Sequence, residues 1–83
     1  MKLITNEAVL TTALTPPEMA TLALLRDAGP QKLSMLNEAA IDTAFKRRPR
    51  LVFIHTYHPE NPVIDISREG LIQLAAAERL AGN

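Results

Sequence analysis

The stretch KLSMLNEAAIDTAFKRRPRLVFIHTYHPENPVIDISREGLIQL, residues 32–74, decides the fold, because the period of its apolar positions changes twice. From Leu36 to Phe45 the apolar residues recur every three or four positions, the spacing of one helix face. From Leu51 to Ile66 they fall into two short runs rich in β-branched and aromatic residues, separated by HPENP. Beyond Ser67 the helical spacing returns. The order of parts is therefore helix, hairpin, helix.

Each part carries its own boundary signals. Ser34 and Asn37 are both good N-caps, so the first helix of the stretch starts at one of them and runs to about Arg47. At the helical period Ala40, Ile41, Ala44 and Phe45 share a core-facing side, and Ala39, Asp42, Thr43 and Lys46 share the other. Pro49 stops the helix, since it lacks a backbone donor and pushes Arg48 out of the helical region. Arg50 to Tyr57 reads as a strand, with Val52, Ile54 and Thr56 on one face and Leu51, Phe53, His55 and Tyr57 on the other. Its start is apolar on both faces and its end is polar. His58 to Pro62 forms the turn, where two prolines exclude ladder bonding, and Val63 to Ile66 returns as the second strand. Ser67 caps a last helix from Arg68 to about Ala81. Its apolar residues Leu71, Ile72, Leu74, Ala75 and Ala76 wrap more than one face. They either touch both the domain's own core and a second subunit or leave small residues simply exposed. Gly70 fits close packing of that helix on the hairpin, or tolerance in a first turn.

Upstream, Thr15-Pro16-Pro17-Glu18 supplies a hydroxyl cap, prolines where no donor is needed, and a carboxylate three residues after the cap. The helix it opens buries Met19, Leu22, Ala23 and Leu25 and ends at Gly29-Pro30. Gln31 to Ser34 is long enough for a brief strand on the edge of the hairpin. Residues 1–14 form an N-terminal arm that packs on the domain, frays, or is exchanged with a second subunit, and residues 15–81 form one domain. Eighty-three residues are close to the lower limit for a self-sufficient core, which makes help from a partner subunit plausible. With 47% apolar residues and only Phe45, Phe53 and Tyr57 aromatic, that core is built from Leu, Ile, Val, Met and Ala.

Composition excludes several classes of function. The absence of cysteine removes disulfides, thiolate metal sites and a cysteine nucleophile together. The longest uncharged run, Ala8 to Pro17, is too short for a membrane span and holds two prolines. Glu7 interrupts the start MKLITNEAVL, which lacks the apolar centre of a signal peptide. The expectation is a soluble cytoplasmic protein. Nine basic and nine acidic residues cancel, so any attraction to a polyanion must come from their arrangement. No glycine-rich phosphate loop, serine elbow or paired carboxylates appear, and Glu18, Asp27 and Glu69 are accounted for by capping or helix ends. An enzyme, a bound cofactor and a metal are not expected. His55 and His58 lie on opposite faces of a strand, and spacing suggests no third ligand.

The segments LTPPEMATLALLRDAG, KLS, NEAAIDTAFKRR, RLVFIHTYHPENPVIDIS and ISREGLIQL follow one another in an order that resembles a small winged helix-turn-helix domain over residues 15–80. The resemblance implies a compact α+β fold with about three helices and a small antiparallel β-hairpin wing, and a recognition helix at 36–48. Two features depart from the pattern. The interval from Met35 to Arg50 has room for one helix where the family usually has two, so the first helix of the helix-turn-helix is shortened or missing. The wing tip, His58 to Pro62, carries Glu60 and no lysine or arginine, where the family's wing is commonly basic.

The resemblance implies a DNA-binding transcriptional regulator acting as a homodimer on double-stranded DNA. Its groove-facing set would be Ala39, Asp42, Thr43 and Lys46, with Lys46, Arg47, Arg48 and Arg50 holding the backbone. Pairing two weak half-sites would raise affinity through effective concentration. The alternative is a protein-interaction module of the same fold, an adaptor or an inhibitor of a larger complex. Glu38 and Asp42 at the helix start and the non-basic wing point that way, with Val52, Ile54, Leu71, Ile72 and Leu80 as the candidate contact residues.

Overall fold

A computed structural model describes residues 14–81. The elements are α1 (Pro16–Ala28), β1 (Gln31–Lys32), a 3-10 turn (Leu33–Met35), α2 (Glu38–Lys46), β2 (Val52–Thr56), β3 (Val63–Ile66) and α3 (Arg68–Ala81). The three strands form one antiparallel sheet in the order β1-β3-β2. The described residues thus form an α+β domain of three helices and a three-stranded sheet. The arm expected over residues 1–14 lies outside the described residues except for Leu14, which is buried in the core.

Local chemistry sets the boundaries. Thr15 Oγ1 accepts from the Glu18 N–H at 3.3 Å while Glu18 Oε1 accepts from the Thr15 N–H at 3.0 Å, closing the capping box at the start of α1. Gly29 ends that helix at φ 88°, a backbone conformation that a side chain disfavours, and donates its N–H to Leu25 at 2.9 Å. Asn37 is the cap that α2 uses, accepting from the Ala40 N–H at 3.1 Å. Ser34 lies inside the 3-10 turn and caps no α-helix: its hydroxyl accepts from Asn61 Nδ2 at 3.0 Å, and its N–H donates to Asn61 Oδ1 at 2.9 Å, across from the hairpin turn. Ser67 Oγ caps α3 by accepting from the Gly70 N–H at 3.0 Å and donates to the Arg50 carbonyl at 2.7 Å.

The expected brief strand after Gly29-Pro30 is β1, and it pairs with β3, so β3 is the central strand. Strand β2 is shorter than the expected Arg50–Tyr57. Leu51 donates its N–H to the Ala44 carbonyl at 3.2 Å and so belongs to the junction with α2. A register irregularity between Ile54 and Thr56 then loosens the far end.

One core joins the parts. Leu14, Leu22 and Leu25 from the α1 side meet Ile41 and Ala44 of α2, Leu51, Val52, Ile64 and Ile66 of the sheet region, and Leu74 of α3. Val52, expected on a contact surface, has no exposed area. The expected alternation does not appear in the burial: Leu51 and Val52 are both enclosed at the start, and every residue from Phe53 to Thr56 is exposed. Among the described residues no helix is long and apolar enough to cross a membrane.

Candidate functional site

Helix α2 turns Ala40, Ile41 and Ala44 inward and leaves Ala39, Asp42, Thr43 and Lys46 exposed, so the expected groove-facing set does share one surface. Its polar groups, however, face each other. Lys46 Nζ lies 2.9 Å from Asp42 Oδ2 across one turn, and the Thr43 hydroxyl donates to the Ala39 carbonyl at 3.0 Å. Exposed ion pairs of this kind are worth little and exchange easily, but they leave no net positive charge on the face. Glu38 adds a carboxylate at the helix N-terminus, where the dipole favours it.

The run Lys46-Arg47-Arg48-Pro49-Arg50 divides into different roles. Arg47 reaches back to α1 and grips Glu18 with two bonds, Nε to Oε2 at 2.8 Å and Nη2 to Oε1 at 2.7 Å. The Glu18 side chain has no exposed surface, and that of Arg47 is 22% exposed. Burial opposes ionisation of Glu18, but bonds from Arg47 and from the Thr15 N–H, together with the Arg47 charge, outweigh it and hold the carboxyl below its ordinary value. Arg47 is correspondingly held more firmly protonated by the Glu18 hydrogen bond. Its forked donors match the carboxylate geometry. Arg47 is thus a structural cation between α1 and the end of α2.

Arg48 folds over the same helix end, donating from Nη1 to the carbonyls of Phe45 and Arg47, each at 3.0 Å, where unpaired carbonyls and the helix dipole favour a cation. Arg50 is exposed, and its carbonyl receives the Ser67 hydroxyl, which brings it beside Arg68 at the start of α3. Among the described residues Arg48, Arg50 and Arg68 form no ion pair with a carboxylate.

The Arg47–Glu18 pair was not foreseen, although part of it was readable. Glu18, Leu22 and Leu25 follow the spacing of one helix face, so a carboxylate on that face needed a cation. Nothing in the sequence indicates that the cation lies 29 positions further on.

Among the described residues, recesses lie on either side of α2. One, of about 380 Å³, lies by its C-terminal end between Leu14, Arg47, Arg48, Pro49, Leu51, Glu69 and Gln73. The other, of about 290 Å³, lies between α2 and the hairpin, with Ile41, Phe45, Ile54 and Ile64 as apolar walls and Glu38 and Asp42 also lining it. The apolar side chains Phe53, Ile54, Leu71, Ile72 and Leu80 are exposed to between 42% and 77%. At the hairpin turn His58 Nδ1 accepts from the N–H groups of Glu60 and Asn61, which makes it a turn residue. His55 Nδ1 pairs with the neighbouring Thr56 hydroxyl at 3.0 Å. Among the described residues no group of three or more potential ligands could hold a metal ion. Comparison with known protein families, with curated proteins and with solved structures found no match.

Proposed function

We propose that this domain is a reduced winged helix that works as a protein-interaction module. The finer fold reading is supported by the strand order β1-β3-β2, by α2 lying between β1 and the hairpin, and by the capped helix that follows the hairpin. The 3-10 turn at Leu33–Met35 occupies the place of the first helix of a helix-turn-helix. The observation that carries the functional reading is the set of apolar side chains left outside a core that is already closed: Phe53 and Ile54 on β2, and Leu71, Ile72 and Leu80 on α3. The neutral net charge and the acidic start of α2 agree with it.

A second reading, a homodimer on double-stranded DNA, is favoured by one observation. Arg48, Arg50 and Arg68 carry positive charge that no described carboxylate neutralises. Phosphate contacts of this kind position a protein on DNA without reading sequence.

The two readings separate in a titration of the full chain against a mixed duplex pool at low and at physiological salt. An interaction module gives at most weak binding that disappears with salt and enriches no sequence. It also forms, in the cells that make it, a cross-linkable protein complex that Ile72→Asp or Ile54→Asp removes. A selected sequence retained at physiological salt, and lost in Arg50→Ala/Arg68→Ala, overturns the reading in favour of DNA.

A further inference from the structure

Helix α3 has one side that its own domain does not use. Gly70, Leu74 and Ala77 rest on the hairpin and the core. On one flank Glu78 accepts from Arg26 Nη1 of α1 at 2.7 Å, and on the other Glu69 and Gln73 line the recess beside Leu51. At about 100° per residue, the side opposite the core is then the stripe Arg68, Ile72, Ala75 and Arg79, spaced i, i+4, i+7 and i+11. All four are exposed. Leu71 borders the stripe on the α1 flank and Leu80 on the recess flank, 43% and 77% exposed.

The charge on this face has one sign. Among the described residues neither Arg68 nor Arg79 forms an ion pair with a carboxylate. Arg68 also opens α3, the end at which the helix dipole disfavours a cation, so its own helix does not account for it. The carboxylates of α3 are turned to the flanks and engaged there, Glu69 by Gln73 Nε2 at 2.9 Å and Glu78 by Arg26. We infer that the outer face of α3 binds an amphipathic helix of a partner protein, one whose apolar stripe is bordered by aspartate or glutamate. The inference rests on the interaction-module reading and names its partner class.

Each part of that description follows from the face. The backbone bonds of a helix are closed internally, so α3 offers a partner side chains alone, and apolar side chains at helical spacing fit the ridges of another helix. Ala75 and Ala76, in the middle, let that helix come close. Arginines at both ends of the stripe call for carboxylates opposite them. A second copy of this chain does not supply them. Pairing two such stripes sets Arg68 against Arg79 when the helices run antiparallel, and each arginine against itself when they run parallel. A nucleic-acid backbone would use the arginines but leave Leu71, Ile72 and Leu80 uncovered.

The test selects two phage libraries on the immobilised full chain, one of helical-scaffold peptides with random exposed positions and one of short unstructured random peptides. A selected synthetic peptide is then mapped through backbone amide shifts. The helical library is expected to yield leucine or isoleucine stripes bordered by aspartate or glutamate, with shifts on Leu71, Ile72, Ala75 and Ala76. Ile72→Asp, on an exposed side chain, weakens binding roughly tenfold to thirtyfold, the loss of one anchor. Arg68→Glu/Arg79→Glu, which leaves the core intact, exchanges the preference for one with lysine or arginine at the borders. No enriched motif, a motif from the unstructured library alone, or basic borders with the unaltered chain overturns the inference. A dimer in sedimentation that Ile72→Asp dissociates gives the face to a second copy and also overturns it. Shifts confined to Phe53 and Ile54 overturn the α3 site but keep the interaction-module reading. Failure of every peptide together with salt-resistant duplex binding overturns both.

Discussion

Removing the Arg47 guanidinium would leave Glu18 as a carboxylate with no exposed side-chain surface and with Thr15 as its remaining partner. Breaking one side of a buried pair costs about 3–5 kcal/mol because the other charge stays desolvated. Arg47 keeps partial exposure, so Arg47→Ala should fall at the lower end of that range, read as a lower urea midpoint with unchanged slope. An unchanged midpoint would show that the pair is dispensable. The same contact makes stability depend on pH. Burial alone would raise the Glu18 pKa, but the Arg47 and Thr15 bonds bring it below 4.5. A carboxyl with a lowered folded pKa contributes its full stability above the unfolded value and loses it as pH falls through the folded one. Unfolding free energy should therefore decline below about pH 4.5, and Glu18→Gln should flatten that limb. Some slope should remain, because hydrogen bonding to Arg26 also lowers the pKa of exposed Asp27. A series of denaturant melts between neutral pH and acid, compared for the two chains, decides it.

At the scale of elements, α3 is seated by an absence of side chain. A Cβ added at Gly70 would collide with the Leu51 carbonyl oxygen and come within 2.7 Å of Ile66 Cγ1. The first of these is backbone at the start of β2, fixed by the Ser67 N–H and by the bond from Leu51 to Ala44. Alanine would gain up to about 1 kcal/mol in helix propensity, yet relief of the collision requires the whole helix to shift, at a cost of about 1–3 kcal/mol. Gly70→Ala should therefore lower the melting temperature; a higher one would mean that α3 can slide freely on the hairpin. This close approach was one of the two meanings the sequence allowed for Gly70. More generally the elements were legible because their ends are written in local chemistry, as Thr15, Asn37 and Ser67 all cap the helices they precede. What local chemistry does not contain is the long-range partner. Ser34 looks like a cap until Asn61 takes its hydroxyl. Val52 alternates like a surface residue until α2 covers it. Arg47 belongs to a basic run until Glu18 is folded beneath it.

Across the whole molecule, apolar residues divide into those that close the core and those that remain outside, and the sequence alone did not sort them. Leu71, Ile72, Leu74 and Leu80 lie on one helix, yet Leu74 is 1% exposed and Leu80 is 77% exposed. The reason is geometric: Leu74 falls on the face of Gly70 and Ala77 that rests on the domain, while Leu80, six positions on, is turned by about 240° away from it. A domain this small holds total stability on the order of 0.1 kcal/mol per residue, so one well-placed cavity is a large fraction of it. Leu74→Ala should cost about 2–5 kcal/mol and lower the melting temperature sharply. Leu80→Ala should change stability by less than about 0.5 kcal/mol, as should Ile72→Ala. Circular dichroism melts of the three variants measure the first half of this contrast, and complex formation by the two folded ones measures the second. If Leu80 and Ile72 serve a partner, their variants keep the wild-type melt and lose the complex. If they keep both, the outer face of α3 is bare surface and recognition lies on the hairpin side.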